Sequence, residues 1–270
     1  MTQSETQWKS PLTTLPGAVA LEDVEGDVAF GVTAHYGDPS GEQWALEAGR
    51  AITDRPDLAV VEVSGPDRLT WLTSISSQVL TGIAPGESRE LLIMNPQGHI
   101  EHACGAIDDG EILYLITEAS DAQALADWLN SMRFALRVEI TISQRWWLLG
   151  SIGDSGVSQC DQVALTWNDP WPGVVDGGAA YYQGKHPGES LAFHIHLVPR
   201  EQAREFWRAW SEAAPKRRAA GIAAWEATRI AAWRPRLGHE TDARSMPAEL
   251  DWLRTAVHTN KGCYRGQEAV

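Results

Sequence analysis

The chain has 270 residues, enough for one large domain or two ordinary ones with a buried core. Its hydrophobic content of 43% and charged content of 21% are typical of a soluble globular protein. The formal net charge of −14 argues against general nucleic-acid binding, because phosphate contacts need a basic face. No run of about 18 apolar residues occurs, so the sequence predicts no membrane span.

The cysteines and the N-terminus indicate the compartment. Cys104, Cys160 and Cys263 are widely spaced and odd in number, which suits a reducing cytoplasm and predicts no disulfide framework. Residues 1–16 are polar and have no apolar signal core, so we expect no export and a cytoplasmic protein. We predict that residues 1–30 form a flexible or loosely docked N-terminal lead-in and that residues 31–270 form the folded domain.

The first half of the chain alternates short strands and helices. Predicted strands cover 58–63, 89–94, 99–107, 111–117, 138–142 and 146–149, and predicted helices cover 42–51, 67–75 and 120–132. Asp67 follows a Ser-Gly-Pro turn and is a candidate helix cap. Asp108-Asp109-Gly110 predicts a tight hairpin between two of the strands. The order of strand, helix, three strands, helix and strand predicts an α+β fold rather than a doubly wound sheet.

The second half begins with a loop-rich segment. Residues 150–188 are rich in Gly, Pro and Asp, which favours loops with short strands. A strand over 191–197 and helices over 199–214 and 219–233 follow, and a long loop then runs to Pro247. Neither a dinucleotide-binding nor a P-loop glycine motif occurs.

The last eight residues before the C-terminal Ala-Val carry the most chemistry, in the order Lys261-Gly262-Cys263-Tyr264-Arg265-Gly266-Gln267-Glu268. Two glycines permit a shaped loop with unusual backbone angles. The two cations flank the cysteine at a spacing of two residues, and nearby cations favour thiolate over thiol. A surface turn with an incidental cysteine is the alternative.

This segment resembles the signature of the YgfZ-like folate-binding proteins, which are implicated in iron–sulfur cluster assembly or repair and resemble the glycine cleavage aminomethyltransferase, or T protein. The resemblance extends more weakly over residues 30–270. It implies an α+β, aminomethyltransferase-like fold with two interleaved subdomains around a central channel, with a boundary near 150–190. It also implies a C-terminal β-barrel, which would be missing here because the sequence ends after the signature.

The resemblance assigns candidate site residues. It implies tetrahydrofolate as the cofactor and places Arg229, Glu226, Trp233, Gly266 and Gln267 around it. In the reactive loop it assigns the chemistry to Cys263, with Lys261 beside it. From the residues alone, Glu226 and Arg229 share a helix face, and an ordinary surface ion pair is the simpler interpretation. The loop arginines Arg234, Arg236 and Arg244 are candidates to hold the glutamate tail of a folate.

One position departs from the aminomethyltransferase pattern. Where that family has an Asp-Asp pair after its Asn-x-x-Gly turn, this chain has Glu101 and His102. We include Glu101 among the cofactor-binding candidates. Its side chain is one methylene longer than that of the family aspartate, which speaks against ordinary glycine cleavage. Whether the chain is an enzyme therefore stays open.

The histidine-rich strands predict no metal site. His99, His102 and Cys104 match no ligand spacing, and His194 and His196 share a strand face without an evident third ligand. The function predicted on the resemblance is a folate-binding accessory protein for iron–sulfur cluster assembly or repair, with folate and assembly proteins as partners. The alternatives are a folate-dependent aminomethyltransferase or demethylase, and a non-catalytic folate-binding protein with a redox-sensing thiol.

Overall fold

The computed structural model describes residues 8–21 and 31–270. Within these ranges the helices are α1 (Pro39–Glu47), α2 (Arg68–Ile75), α3 (Ala122–Met132), α4 (Ala203–Glu212) and α5 (Ile222–Ala231). The strands are β1 (Val19–Ala20), β2 (Thr33–His35), β3 (Ala51–Asp54), β4 (Leu58–Ser64), β5 (Ser88–Met94), β6 (Ile100–Asp108), β7 (Ile112–Glu118), β8 (Glu139–Ser143), β9 (Trp146–Ile152), β10 (Leu165–Asn168), β11 (Phe193–Pro199) and β12 (Arg218–Ala220). The fold is mixed α and β, as predicted.

Two five-stranded sheets dominate the described part of the chain. The first sheet has the order β5-β6-β7-β4-β8 and is antiparallel throughout. The second has the order β10-β11-β9-β3-β12, with β12 parallel to β3 and the other pairs antiparallel. The chain enters the second sheet at β3, builds the whole first sheet, and returns at β9. The two sheets are therefore interleaved in sequence.

Successive side chains of a strand point to opposite faces of the sheet, and this explains how the sheets and helices form packed layers. In β5, Leu91 and Ile93 pack into a core shared with helices α2 and α3, whereas Leu92 and Met94 face a core built with the C-terminal segment. In β9, Trp146 and Leu148 pack between the two sheets, and the intervening residues pack against α4 on the outer side. Strands β7 and β9 are buried on both faces, which is why their sequences are nearly continuous apolar runs.

Several helix predictions differ from the structure at their ends. The helix predicted over 42–51 spans Pro39–Glu47, because Asp38 caps its start and Gly49, at φ of 66°, follows its end; Ala51 begins β3. The helix predicted over 219–233 begins at Ile222, because residues 218–220 pair with β3 instead. Gly221 makes the transition possible, since a Cβ there would lie 2.1 Å from the carbonyl oxygen of Ala34. The helix predicted over 199–214 begins at Ala203, after a short 3-10 turn over Arg200–Gln202.

The predicted lead-in is only partly described. Residues 1–7 and 22–30 lie outside the described ranges, whereas residues 8–15 pack on the outer side of the second sheet, and Val19–Ala20 pair with β2. Leu12 is fully buried there with Trp147 and Phe206. This buried leucine anchors the middle portion of the predicted lead-in to the sheet, and the assignment of residues 1–30 as a separate lead-in stays a prediction. Across the described residues, no helix combines the length and apolar character needed to cross a bilayer.

Candidate functional site

A cavity of about 110 Å³ lies between the two sheets. Its walls come from β6 and β7 of the first sheet, β10 and β11 of the second, helix α5, and the loop from Arg234 to Leu237. Two glycines let tryptophan rings lie flat against the strands: a Cβ at Gly105 would lie 2.6 Å from the Trp167 ring, and one at Gly150 would lie 2.5 Å from the Trp225 ring. The result is a small chamber with aromatic walls. We call it the central cavity.

Arg234 forms the polar centre of this cavity. Its guanidinium contacts Glu90 at 2.6 Å and Asp169 at 2.8 Å, and all three residues line the chamber. Burial raises the pKa of Asp169 to about 6, against the opposing effect of Arg234. Although burial lowers the pKa of Arg234, its two carboxylate partners outweigh that effect and keep it charged. Its Nη1 atom is buried without a hydrogen-bond partner among the described residues.

Arg236 forms a second buried ion-pair group at the same wall. It contacts Asp57 at 2.8 Å and Glu118 at 2.7 Å, and Asp57 is also held by Arg55. Burial raises the pKa of Glu118, whereas Arg55 and Arg236 outweigh burial and lower the pKa of Asp57. Because both guanidinium groups are paired with carboxylates of the chain, this geometry disfavours the prediction that Arg234 and Arg236 hold a glutamate tail. Arg244 remains exposed.

Arg229 lies where the central cavity meets a larger, outer cavity of about 640 Å³. Its guanidinium contacts Glu226 at 2.7 Å and Glu240 at 2.9 Å, and it donates to the carbonyl oxygen of Arg234 at 2.6 Å. The Arg229 side chain is only 6% exposed, so the pair with Glu226 is not the ordinary surface ion pair that the sequence also permitted. Burial raises the pKa of Glu226, but the hydrogen bond and charge of Arg229, together with the charges of Arg236 and Arg55, more than offset this and leave the pKa lowered.

Trp233 lies in the wall of the outer cavity and does not line the central one. It is 59% exposed and has a left-handed backbone with φ of 57°. Tyr181, Tyr182 and Ile230 line the same outer cavity. The structure thus brings Arg229 and Trp233 together at the outer cavity, with Glu226 paired to Arg229. Glu226 and Arg229 lie on α5, whereas Trp233 follows the C-terminal end of that helix.

The signature loop lies outside both cavities. Cys263 is exposed, but its predicted cationic neighbours have other partners. Lys261 Nζ donates to the carbonyl oxygens of Thr73, Ser76 and Gln78, and Arg265 contacts Glu101 at 2.8 Å. The expectation that both cations serve the thiol is therefore not met by this geometry.

Glu101, Gly266 and Gln267 make packing and hydrogen-bond contacts within the fold and do not line the central cavity. Glu101 and Arg265 are about one-third exposed and do not line the central cavity. Gly266 packs on the Asn95–Gly98 turn with φ of 83°, and a Cβ there would lie 2.5 Å from the Asn95 carbonyl oxygen. The Gln267 side chain accepts a hydrogen bond from the Tyr264 backbone at 3.3 Å. The structure thus places none of these candidates beside Arg229.

Sequence reasoning missed the carboxylates of the central cavity. Glu90 directly precedes the apolar run 91–94 and Glu118 ends the apolar strand β7, and a charged residue next to such a run is a signal for a buried ion pair. Tyr181 and Tyr182 lie in a segment that the sequence marks only as loop. Across the residues that the structure describes, no group of three His, Cys, Asp or Glu side chains is arranged to hold a metal ion.

No known protein-family model matches the sequence. Among solved structures, the chain resembles the glycine cleavage system aminomethyltransferase T from Bartonella henselae. The TM-score is 0.69 and the sequence identity 17%, over 94% of this chain and 70% of the other. The two proteins share a fold. At this identity the likeness concerns the fold alone, and the predicted subdomains and absent barrel stay predictions.

Proposed function

We propose that this chain binds tetrahydrofolate, with the ring end of the cofactor in the central cavity. The observation that carries the proposal is the buried Nη1 of Arg234, which has no partner among the described residues and belongs to a side chain that lines the chamber. A reduced pterin offers a carbonyl acceptor for such a donor, and its amino and ring N–H groups suit the carboxylates of Glu90 and Asp169. Trp167 and Trp225 offer flat faces to a heterocycle.

The size of the chamber limits what it encloses. Its volume of about 110 Å³ is below the ~300 Å³ of a site that encloses a whole drug-sized ligand. The proposal therefore places only the ring system of the folate there. The shared fold with an aminomethyltransferase supports one-carbon chemistry for the bound cofactor.

Tetrahydrofolate titrations of cavity variants test this proposal. Ala103 lines the central cavity on β6, so Ala103→Met fills it without burying a charge and should reduce affinity at least tenfold. Ala59→Met is the matched control, because Ala59 lies on β4 outside the cavity lining. Calorimetry measures binding, and thermal melts confirm folding. Equal affinities for wild type and a folded Ala103→Met chain would refute the assignment.

For the biological role we propose an accessory protein of iron–sulfur cluster assembly or repair, with Cys263 as its reactive group. The exposed thiol on the signature loop supports this. In cells that lack the protein, activities of iron–sulfur enzymes should fall, wild type should restore them, and Cys263→Ala should not. Full rescue by Cys263→Ala would remove the thiol from the role. Folate binding without any effect on these enzymes would favour a folate-binding protein with a redox-sensing thiol.

Aminomethyl transfer is the second candidate, favoured by the shared fold. Glu101, which occupies the family aspartate position, is held by Arg265 and does not line the central cavity. We therefore expect no transfer from an aminomethylated carrier protein. Formation of 5,10-methylenetetrahydrofolate in such an assay would make this candidate the better one.

A further inference from the structure

Three aromatic rings meet beside the outer cavity with nearly perpendicular planes: Tyr182 and Trp233 line the cavity, and His186 packs behind them. Tyr182 and Trp233 have ring centroids 5.8 Å apart and an interplanar angle of 79°. Each also lies 6.1 Å from His186, at 86° and 87° respectively. Tyr182 is 46% exposed and Trp233 is 59% exposed, so two of the three rings remain accessible to a ligand.

The His186 ring is held neutral. Its Nδ1 accepts a hydrogen bond from the Gly188 backbone at 3.1 Å, and its Nε2 lies 3.1 Å from Asp251 Oδ2. Burial and the nearby Arg254 guanidinium lower the pKa of His186 below its ordinary value of 6.5. His186 is buried and does not line the cavity, so at neutral pH it supports Tyr182 and Trp233 from behind without adding a positive charge.

The cavity carries an excess of negative charge. Glu240, Glu249 and Asp251 belong to its lining, and of these Asp251 is paired with Arg254 at 2.6 Å. The two arginines of the lining are each matched by two carboxylates: Arg229 by Glu226 and Glu240, and Arg234 by Glu90 and Asp169. Anionic ligands are therefore disfavoured here, and cations are favoured.

The backbone around the cavity is also unusual. Four non-glycine residues with positive φ occur in the described ranges, and two of them, Trp233 and Asp251, line this cavity. Left-handed backbone is costly for residues with a Cβ, and such residues cluster at ligand sites. Here the conformation accompanies an exposed indole and a carboxylate on the same wall.

We propose that the outer cavity binds a small organic cation of the methylated or quaternary ammonium class. A methylated ammonium has few or no N–H donors, so it is recognised by aromatic faces and by diffuse negative charge rather than by hydrogen bonds. Tyr182 and Trp233 supply the faces, and the carboxylates of the lining supply the charge. Ile230, which is 58% exposed, offers apolar contact to the methyl groups. This site lies beyond the folate proposal and does not depend on it.

Choline and 3,3-dimethyl-1-butanol test the role of charge, because the second molecule has the shape of the first without the positive charge. NMR titrations of the full chain should show saturable choline binding and at least tenfold weaker binding of the neutral analogue. Equal binding of the two, or no saturable choline binding, would overturn the proposal. A trimethyl-lysine peptide serves as a further probe, and tighter binding of the peptide than of choline would assign the ammonium group to a protein source.

Variants of Trp233 test whether choline binds at the outer cavity. Trp233→Leu keeps apolar volume but removes the ring, and should weaken choline binding about tenfold or more. Trp233→Phe should retain most of the affinity. Trp44→Leu is the control, because Trp44 is 72% exposed on α1 and does not line the cavity. Thermal melts check that the variants fold.

Tetrahydrofolate titrations of the same variants report on the central cavity separately, since Trp233 does not line it. Loss of choline binding with folate binding intact supports the assignment. A folded Trp233→Leu chain that binds choline like wild type would overturn it, and so would one that loses only folate.

Discussion

Lys261 Nζ lies 2.5 Å from the carbonyl oxygen of Ser76, at the C-terminal end of helix α2. It also donates to the carbonyl oxygens of Thr73 and Gln78. The last carbonyls of a helix lack intrahelical partners, and a cation there also interacts favourably with the helix dipole. Lys261 thus ties the signature loop to α2, although burial lowers the pKa of its ammonium to about 8.

Lys261→Met should therefore destabilise the protein. The change leaves three carbonyl oxygens without their donor, and we expect a loss of about 2 kcal/mol in the free energy of unfolding. Urea denaturation measures it. Lys185→Met is the control, because Lys185 is exposed and should tolerate the change. Equal midpoints for the two variants would show that the loop is not held through this lysine.

Cys263 should alkylate fastest of the three cysteines. Cys263 is exposed, whereas Cys104 is buried and Cys160 is partly buried. Burial raises the pKa of both of those thiols. Because Lys261 and Arg265 have other partners, accessibility rather than cationic activation sets the rate. Mass spectrometry of iodoacetamide-treated protein measures the order of labelling. Arg265→Gln should change the Cys263 rate less than about threefold, and a larger drop would restore the activation hypothesis.

Gly266→Ala and Gly262→Ala should differ in stability although both lie in the signature loop. Gly266 has φ of 83°, and a Cβ would lie 2.5 Å from the Asn95 carbonyl oxygen. At Gly262 a Cβ would meet no other atom within 4 Å, and the backbone does not have the left-handed φ of Gly266. We expect Gly266→Ala to cost about 2 kcal/mol and Gly262→Ala less than about 0.5 kcal/mol. Thermal melts compare them, and the reverse order would contradict the observed packing of the loop on the Asn95–Gly98 turn.

His196 should make the protein sensitive to mild acid. Its ring nitrogens bond Ser151 at 2.8 Å and Thr166 at 2.9 Å, and burial lowers its pKa from 6.5 to about 3. Between these values the unfolded chain binds the proton and the folded chain does not. Stability is therefore lost as pH falls from 6.5 toward 3, by up to about 1.4 kcal/mol per pH unit.

Urea denaturation between pH 7 and pH 4 tests this for wild type and His196→Asn. The variant removes the titrating group but leaves His194 in place, so its unfolding free energy should fall less steeply with acid. The slope is the readout, whatever the overall stability of the variant. Parallel curves would show that another group dominates the acid response.

The sequence alone determined most secondary structure of the described residues. Short β-rich runs bounded by turn residues predicted the strands, and Asp108-Asp109-Gly110 forms the hairpin between β6 and β7, with Gly110 at φ of 101°. These features follow from local chemistry, because side-chain period and turn conformation depend on neighbours in sequence. The proximity of Glu226 and Arg229 was equally local, since residues three apart share a helix face.

Only the tertiary structure decided what these residues contact. Arg229 is buried and pairs with Glu240, and Arg234 pairs with Glu90 and Asp169. Lys261 donates to a carbonyl oxygen at the end of α2. None of these partners is a sequence neighbour that periodicity links to it. A long cationic side chain can point toward many partners, and the one it takes depends on which acceptors the folded chain leaves unsatisfied nearby. The sequence placed two cations beside Cys263, and the fold directed both of them elsewhere.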